Sequence, residues 1–432
     1  MSAAPGRVER PEKLARAGEL RCAARDPATG AVWLGAAHGA LVWYPATGQW
    51  RHARLQDETV VACGAGTGGV WLASEDHLMQ PEAGGAGVRR YRLAEAAGGA
   101  VRVTGLAGDR GGMWLAVRGR DGQLPALLRL PHRPPVFQRF QPRFTKAGGP
   151  VEAIAGDGER AWALGSRWVL ELDERAVTRA APGATLAREE PPRDPPEREG
   201  APSSRAAELV SVLSALSERR WLRAHPRGLV GRNEEGLFAT PYGGVPVCPA
   251  LPGRLDLLAT DWLGGAGAMW VATPVGVFAP GARGLKVLAP GEDVIALLEG
   301  DPPLAVTASA VYVLDARALA AAPDTALDLP GIARQLARRR ANDLATDQRR
   351  LVARALGLVG RPEDLTVLLA LLEDPVPDVR ATACTALGRL SPPGAPDLLA
   401  RMMSDPATSV QAAASQALRQ LTPQRPGGYL VT

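Results

Sequence analysis

Apolar residues along this chain come in three textures. Up to about residue 315 most form short runs set among frequent Gly and Pro. Short runs bounded by turn residues predict short strands. From about residue 331 the apolar positions recur every three or four residues, which predicts helices. Between the strand runs lies Arg188-Glu189-Glu190-Pro191-Pro192-Arg193-Asp194-Pro195-Pro196-Glu197-Arg198-Glu199-Gly200, with no apolar residue at all. Pro and mixed charge at that density build no core, so a disordered loop is expected there.

The strand runs repeat. Val32-Trp33-Leu34-Gly35, Val70-Trp71-Leu72-Ala73, Met113-Trp114-Leu115-Ala116, Ala161-Trp162-Ala163-Leu164 and Met269-Trp270-Val271-Ala272 share one shape. A Gly precedes each (Gly30, Gly69, Gly112, Gly158, Gly267), and an Asp stands further upstream in four cases (Asp26, Asp109, Asp157, Asp261). Runs beginning at Gly228 and Leu304 keep the frame without the Trp. The usual step of about 40 residues matches one four-stranded blade of a β-propeller. Short strands cannot bury themselves alone, whereas radial stacking buries both faces of every sheet. Trp33, Trp71, Trp114, Trp162 and Trp270 are therefore expected as structural anchors between blades. Seven anchors predict about seven blades over residues 18–320. No outer strand is visible after Val313, so one from the N-terminal region, within residues 8–24, is expected to close the ring; residues 1–17 otherwise read as a tail.

The pattern resembles the propeller repeats in sensor regions of two-component regulators. Asp26, Gly30, Trp33, Leu34, Gly35, Gly39, Leu41 and Tyr44 follow that family's order, and the resemblance spans about residues 18–315. It implies a fold more than a function; no kinase or receiver segment follows it.

The step from Trp162 to Leu229 is too long for one blade by about 25 residues. The excess, about residues 182–217, holds the Pro-rich loop and then Leu209, Val210, Leu213 and Leu216 at helical spacing, with Ser203 or Ser204 as a capping residue. It reads as a tether carrying a small docking helix.

Residues 331–421 repeat every 31 positions: Asp343, Asp374 and Asp405; Arg349, Arg380 and Gln411; Ala355-Leu356, Ala386-Leu387 and Ala417-Leu418. Asp374-Pro375-Val376-Pro377-Asp378-Val379-Arg380, followed by Ala383, Ala386, Leu387 and Gly388, resembles the short HEAT-like repeats named after phycobilisome lyases. Pro375 and Asp378 are expected at the start of a hairpin's second helix. The Asp and Arg positions read as structural, bonding within or between repeats. Gln411 reads as a degenerate terminal position. Residues 422–432 form a C-terminal tail.

Composition adds limits. The net charge is +5, yet basic and acidic residues alternate almost everywhere and the one tight run is Arg338-Arg339-Arg340, a candidate interaction patch. Nucleic-acid binders gather their charge on one face, so nucleic acid is disfavoured as a partner. Cys22, Cys63, Cys248 and Cys384 form no CxxC pair and suit free thiols in a reducing compartment. With no apolar run in Met1–Gly18 and none long enough to span a bilayer, a cytoplasmic protein without membrane contact is expected.

Candidate chemistry is sparse. Gly64-Ala65-Gly66-Thr67-Gly68-Gly69 spells GxGxxG, but a strand follows where a dinucleotide site needs a helix, so it reads as a hairpin turn. His38, His52, His77, His132 and His225 have no partner at metal-ligand spacing. His38 and His77 fall at corresponding places in the first two blades. No catalytic, cofactor or metal residue is assigned. The expected function is a non-enzymatic protein–protein scaffold that uses propeller faces and the concave HEAT surface. Alternatives are a sensor with a small molecule in the propeller tunnel, a propeller lyase or hydrolase, and, by analogy, a component of bacterial systems pairing an AAA+ ATPase with a von Willebrand A adaptor.

Overall fold

Short strands gain little from one neighbour, and this chain groups them into sheets of three to five. The computed structural model describes residues 6–421 apart from 54, 56–57, 67, 83–86, 100, 120–125, 133–134, 141–150, 166–168, 173–203, 218–220, 226–227, 234–235, 242–250, 252–254, 266–267, 282–283 and 343–344. The Pro-rich loop, Asp343, Trp168 and Cys248 lie outside the described residues. The chain divides into two compact units, residues 1–193 with 219–326 and residues 194–218 with 327–432.

The first unit is a seven-bladed β-propeller, each blade an antiparallel sheet. Strand β1 (Arg7–Val8) comes first in sequence. The first blade is β2 (Leu20–Arg25), β3 (Val32–Ala36), β4 (Ala40–Tyr44) and β5 (Gln49–Ala53). The second is β6 (Ala62–Gly66), β7 (Gly69–Ala73), β8 (His77–Pro81) and β9 (Val88–Arg92), followed by a short helix, α1 (Leu93–Ala97). The third is β10 (Val101–Gly108), β11 (Gly112–Gly119), β12 (Ala126–Pro131) and β13 (Gln138–Phe140). The fourth has β14 (Ala153–Gly156), β15 (Ala161–Leu164) and β16 (Val169–Leu172). Helix α2 (Ser204–Ser217) stands next in sequence but belongs to the second unit.

The fifth blade has β17 (Trp221–His225), β18 (Gly228–Asn233) and β19 (Gly236–Pro241). The sixth has β20 (Asp261–Gly265), β21 (Ala268–Thr273), β22 (Gly276–Gly281) and β23 (Gly284–Leu288). The seventh has β24 (Val294–Leu298), β25 (Leu304–Thr307) and β26 (Val311–Val313). After helix α3 (Ala316–Ala321), strand β27 (Asp324–Thr325) adds an outer edge to the sixth blade. The seventh blade takes its outer strand from the other end of the chain: Arg7 pairs with Tyr312 and Val8 with Val311.

The anchoring Trp residues sit at one recurring place. Trp71, Trp114, Trp162 and Trp270 are 3%, 0%, 4% and 3% exposed. Each packs in a cluster that joins its own blade to the next: Trp71 with Leu106 and Met113, Trp114 with Ile154, Trp162 with Leu222 and Phe238, Trp270 with Leu297 and Tyr312. Trp33 packs at the edge of the seam between the first and second blades and is only partly buried. At the closest approaches near the axis the seams have no room for a side chain. A Cβ on Gly108 would lie 2.5 Å from the Cα of Gly66, and one on Gly156 would lie 2.4 Å from the Gly108 carbonyl. The GxGxxG segment thus supplies close backbone approach between inner strands, since its Gly64 and Gly66 lie in β6.

The second unit stacks helical hairpins: α4 (Leu329–Arg340) with α5 (Thr346–Val359), α6 (Leu365–Leu372) with α7 (Pro377–Leu390), and α8 (Ala395–Met402) with α9 (Thr408–Leu421). Asp328 caps α4 through the Gly331 amide. Helix α7 begins at Pro377, with Asp378 in its first turn. Pro375 therefore lies in the preceding turn rather than at the helix start, because Pro377 takes the first helical position where no amide is needed. Small residues let α5, α7 and α9 close on one another. A Cβ on Gly357 would lie 2.8 Å from the Ala386 Cα, and one on Gly388 would lie 2.7 Å from the Ala417 Cβ.

Candidate functional site

Two places in the molecule merit a functional reading, one in each unit. In the propeller, the seven inner strands enclose a tunnel of about 630 Å³. Ala23, Ala65, Ala107, Ala155, Ala224 and Ala296 give it a lining of methyl groups. Its ionic groups are engaged with one another or with backbone. Arg25 donates to the Pro302 carbonyl at 2.7 Å. Arg223 pairs with Asp261, which also accepts from the Leu297 amide at 3.0 Å. Asp157 accepts from the amides of Glu159 and Arg160 at 2.9 and 2.7 Å, closing its own turn, and Glu159 pairs with Arg110. Burial holds the Arg25 guanidinium below its ordinary pKa, against the opposing pull of Asp301. No histidine is among the described residues that line the tunnel. Among the described residues, no three His, Cys, Asp or Glu side chains gather as a metal site, and no helix is long and apolar enough to cross a membrane.

The upstream Asp residues of the repeat close turns. Asp26 accepts from the Ala28 amide and the Thr29 hydroxyl at 2.9 and 2.7 Å. Asp109 does more, accepting from the Gly111 and Gly112 amides and from the Trp114 indole, all at 2.7 Å. Arg129 approaches the same carboxylate at 3.2 Å and lies over the Trp114 ring, 5.0 Å from its centroid. His77 does not face the tunnel chemistry. Its Nδ1 lies 3.3 Å from Glu58, which also takes the Ser74 hydroxyl at 2.5 Å and the Arg90 guanidinium at 3.3 Å.

That last cluster belongs to a class of residue that the repeat pattern had not singled out. Ser74, Thr273 and Thr307 stand three positions after their anchors, and each hydroxyl oxygen accepts from an amide of the next turn (His77, Val275, Ala310). In two blades a Glu from the preceding linker gathers the hydroxyls. Glu292 accepts from Thr307, from Ser309 at 2.6 Å and from Tyr312 at 2.8 Å. Burial opposes ionisation of Glu292, but these donors outweigh it and lower its pKa. Burial first, and Glu292 second, push the Tyr312 phenol up.

In the helical unit the Asp and Arg positions form a ladder between repeats. Arg349 donates to Asp374 at 2.5 and 3.1 Å, and Arg380 to Asp405 at 2.8 Å twice. Arg380 also donates to the backbone carbonyl of Asp374, its own repeat's Asp, at 2.7 Å. Gln411 keeps that backbone bond, at 2.8 Å to the Asp405 carbonyl. The carboxylates are 5% and 7% exposed. Burial opposes ionisation of Asp374, but Arg349 outweighs it and holds the pKa below the ordinary range; Arg380 does the same for Asp405. The Arg338–Arg340 run is not one open patch. Arg338 pairs at 2.5 Å with the buried Asp364, whose other oxygen accepts from the Arg361 amide.

The second place is the face of α5, α7 and α9 beside α2. Helix α2 packs on α4 and α5 with Val212, Leu213 and Leu216 fully buried or nearly so. Its Glu208 receives Arg354 of α5 at 3.1 Å and Arg389 of α7 at 3.0 Å, and its Arg205 donates to the Leu358 carbonyl at 2.7 Å. The two guanidiniums outweigh burial and lower the Glu208 pKa. A groove of about 240 Å³ continues past Glu208, floored by Gly357, Ala381, Ala386 and Ala413 and edged by Thr382 and Thr385.

Comparison with known proteins gives one family match and several distant structural likenesses. A family model described as HEAT repeats matches residues 333–419. The Cps50 (Swd1) β-propeller domain of Myceliophteria thermophila aligns at 12% identity over 69% of this chain and 98% of its own, with a TM-score of 0.45. The extracellular domain of the hybrid two-component system BT4673 from B. thetaiotaomicron aligns at 9% identity over 72% of this chain and 40% of its own, with a TM-score of 0.43. The WD40 repeats of RRP9 align at 13% identity over 71% of this chain and 92% of theirs, with a TM-score of 0.41. No functional conclusion follows from likenesses of this size. No curated protein matches the chain. The chain is a seven-bladed β-propeller followed by helical hairpins that carry a HEAT-repeat match.

Proposed function

We propose that this protein is a non-enzymatic adaptor that holds other proteins, and that the α5–α7–α9 face is one of its binding surfaces. The observation that supports this most directly is α2. A segment more than a hundred residues away in sequence lies on the stack as a ligand helix would, with an aliphatic stripe against α4 and α5 and a carboxylate shared by two arginines. A face that accepts one amphipathic helix from a distant segment has the chemistry to accept another. The groove beside it continues that surface over α7 and α9. Stacked repeats suit such a task because each unit braces its neighbours and leaves one face open.

The tunnel supports a ligand-sensing reading less well. Its size suits a small molecule, but binding sites present free, convergent polar groups, and the ionic groups described here are tied into turns and blade seams. The test is an affinity capture from native lysate with the intact protein, with residues 331–432 removed, and with Arg389→Glu. Partners retained by the intact protein and lost from both variants are the expected outcome. A metabolite co-purifying with the propeller, with no protein retained by any bait, would overturn the adaptor reading in favour of the sensor.

A further inference from the structure

Cys22 on β2 and Cys63 on β6 bring their sulfurs within 2.7 Å across the seam between the first and second blades. Both are free thiols. Forty-one positions separate them in sequence, about one blade; Cys22 pairs with Gly35, two past the first anchor, and Cys63 with Leu72, one past the second, so they stand one register step apart on their inner strands. The Cys22 sulfur has little freedom to turn away. It sits against bare Gly35, where a Cβ would come within 2.4 Å of it and within 2.6 Å of Val60. Aliphatic side chains from both blades (Ala24, Leu55, Val60, Leu72) pack around the pair.

Both thiols are partly exposed, but they differ in what they face. Cys63 lines the tunnel, and Cys22 is not among the residues that do. Burial, then the neighbouring Cys63, push the Cys22 thiol well above its ordinary pKa. Cys63 is thus the thiol that meets a solute in the tunnel, and Cys22 stands behind it. That is the division between an attacking and a resolving cysteine.

We propose that Cys22 and Cys63 are an oxidation site, converted by a hydroperoxide that enters the tunnel into a disulfide between the first two blades. The Cys63 thiolate attacks one oxygen of hydrogen peroxide. The O–O bond breaks, leaving a sulfenic acid on Cys63 and a hydroxide that takes up the proton Cys63 had released. The Cys22 sulfur then attacks the Cys63 sulfur. The S–O bond breaks, and the departing hydroxide takes the Cys22 proton. Two thiols and one hydrogen peroxide become one disulfide and two waters; the sulfurs together lose two electrons, and the peroxide oxygens gain them. The product ties two inner strands that otherwise meet only by packing, and a dithiol reductant reverses it.

The test uses the full-length protein, reduced and then exposed to hydrogen peroxide, with thiols counted under denaturing conditions. Of the four cysteines in the chain, four thiols are expected before oxidation and two after, with the Cys22 and Cys63 peptides linked in the mass spectrum. A variant lacking the other two cysteines, C248S/C384A, is expected to lose both of its thiols on the same treatment. Cys22→Ser is expected to stop at a Cys63 sulfenic acid that dimedone traps, whereas Cys63→Ser gives neither adduct nor crosslink. Four thiols surviving peroxide, a link to another cysteine, or a dimer joined between chains would each overturn the proposal. So would dimedone labelling of Cys22 in the Cys63→Ser variant, because it would reverse the assigned roles.

Discussion

The propeller and the helical stack meet the same problem, joining one repeat to the next, with different chemistry. In the propeller a large ring fills the wedge at four of the seams, and at the closest approaches near the axis glycine removes the side chain. In the stack, helices close on alanine and glycine, and an Arg–Asp pair clips each step. The wedge between blades widens outward and suits bulk. The gap between parallel helices is uniform and narrow, so small residues pack it and charge fixes the register. Hydrophobic seams should therefore fail by loss of volume, and clipped seams by loss of charge.

The largest effect is expected from Trp114→Ala. The ring is fully buried and its indole is bonded to Asp109, so a loss of about 3–5 kcal/mol is expected. Urea titration followed by hydrogen exchange should place the damage at the seam between the third and fourth blades. Unchanged stability would show that the rings are not what joins the blades.

Arg380→Met removes the clip and leaves the Asp405 carboxylate buried, still accepting from the Ala407 amide at 2.9 Å. Breaking one side of a buried pair costs about 3–5 kcal/mol; a partly solvated rim places this one near the low end. Exchange should quicken in α7 and α9 and not in the blades.

Acid should distinguish the units without mutation. Asp374 and Asp405 have folded pKa values below their unfolded ones. Their contribution is complete above the unfolded value of about 3.9 and is lost as pH falls through the folded value. Melting of the helical unit, read by helical circular dichroism, should drop as pH falls below about 4. At the other end of the scale, Tyr312 has a raised folded pKa. Its contribution is complete below the unfolded value of about 10 and fades as pH rises beyond it, so the seventh blade should loosen in strong alkali. The smallest effect is expected from Gln411→Ala, about 0.5–1.5 kcal/mol, because only one neutral side-chain bond to the backbone is lost.

Much of this architecture was legible in the residues. Trp at a constant frame revealed the blades, and a 31-residue period revealed the hairpins. The pairing in the ladder was harder to read. Asp374 and Arg380 stand six apart, yet the Arg380 guanidinium takes the carboxylate of Asp405, 25 residues on. That offset is the repeat length less the six, and it becomes visible only once the helices are stacked. The hydroxyls of Ser74, Thr273 and Thr307 carried a signal, a fixed place three residues past each anchor, but three residues in seven blades make a faint one. The Cys22–Cys63 contact gave only its spacing of about one blade. Arg338 was misleading because a run of charge does not disclose that one member reaches a buried carboxylate.

The claim that matters most is that α2 is a helix bound on a receptive face rather than part of the stack's own core. Hydrogen exchange on the full chain with Leu213→Ala tests it. Leu213 is fully buried, and its loss should weaken docking by about 2–5 kcal/mol, so amides of residues 204–217 should exchange about 30-fold faster or more. The expected result is acceleration confined to that helix while α7 and α9 keep their protection. If all the helices accelerate together, α2 is integral to the unit, and the α5–α7–α9 face has not been shown to take a helix at all.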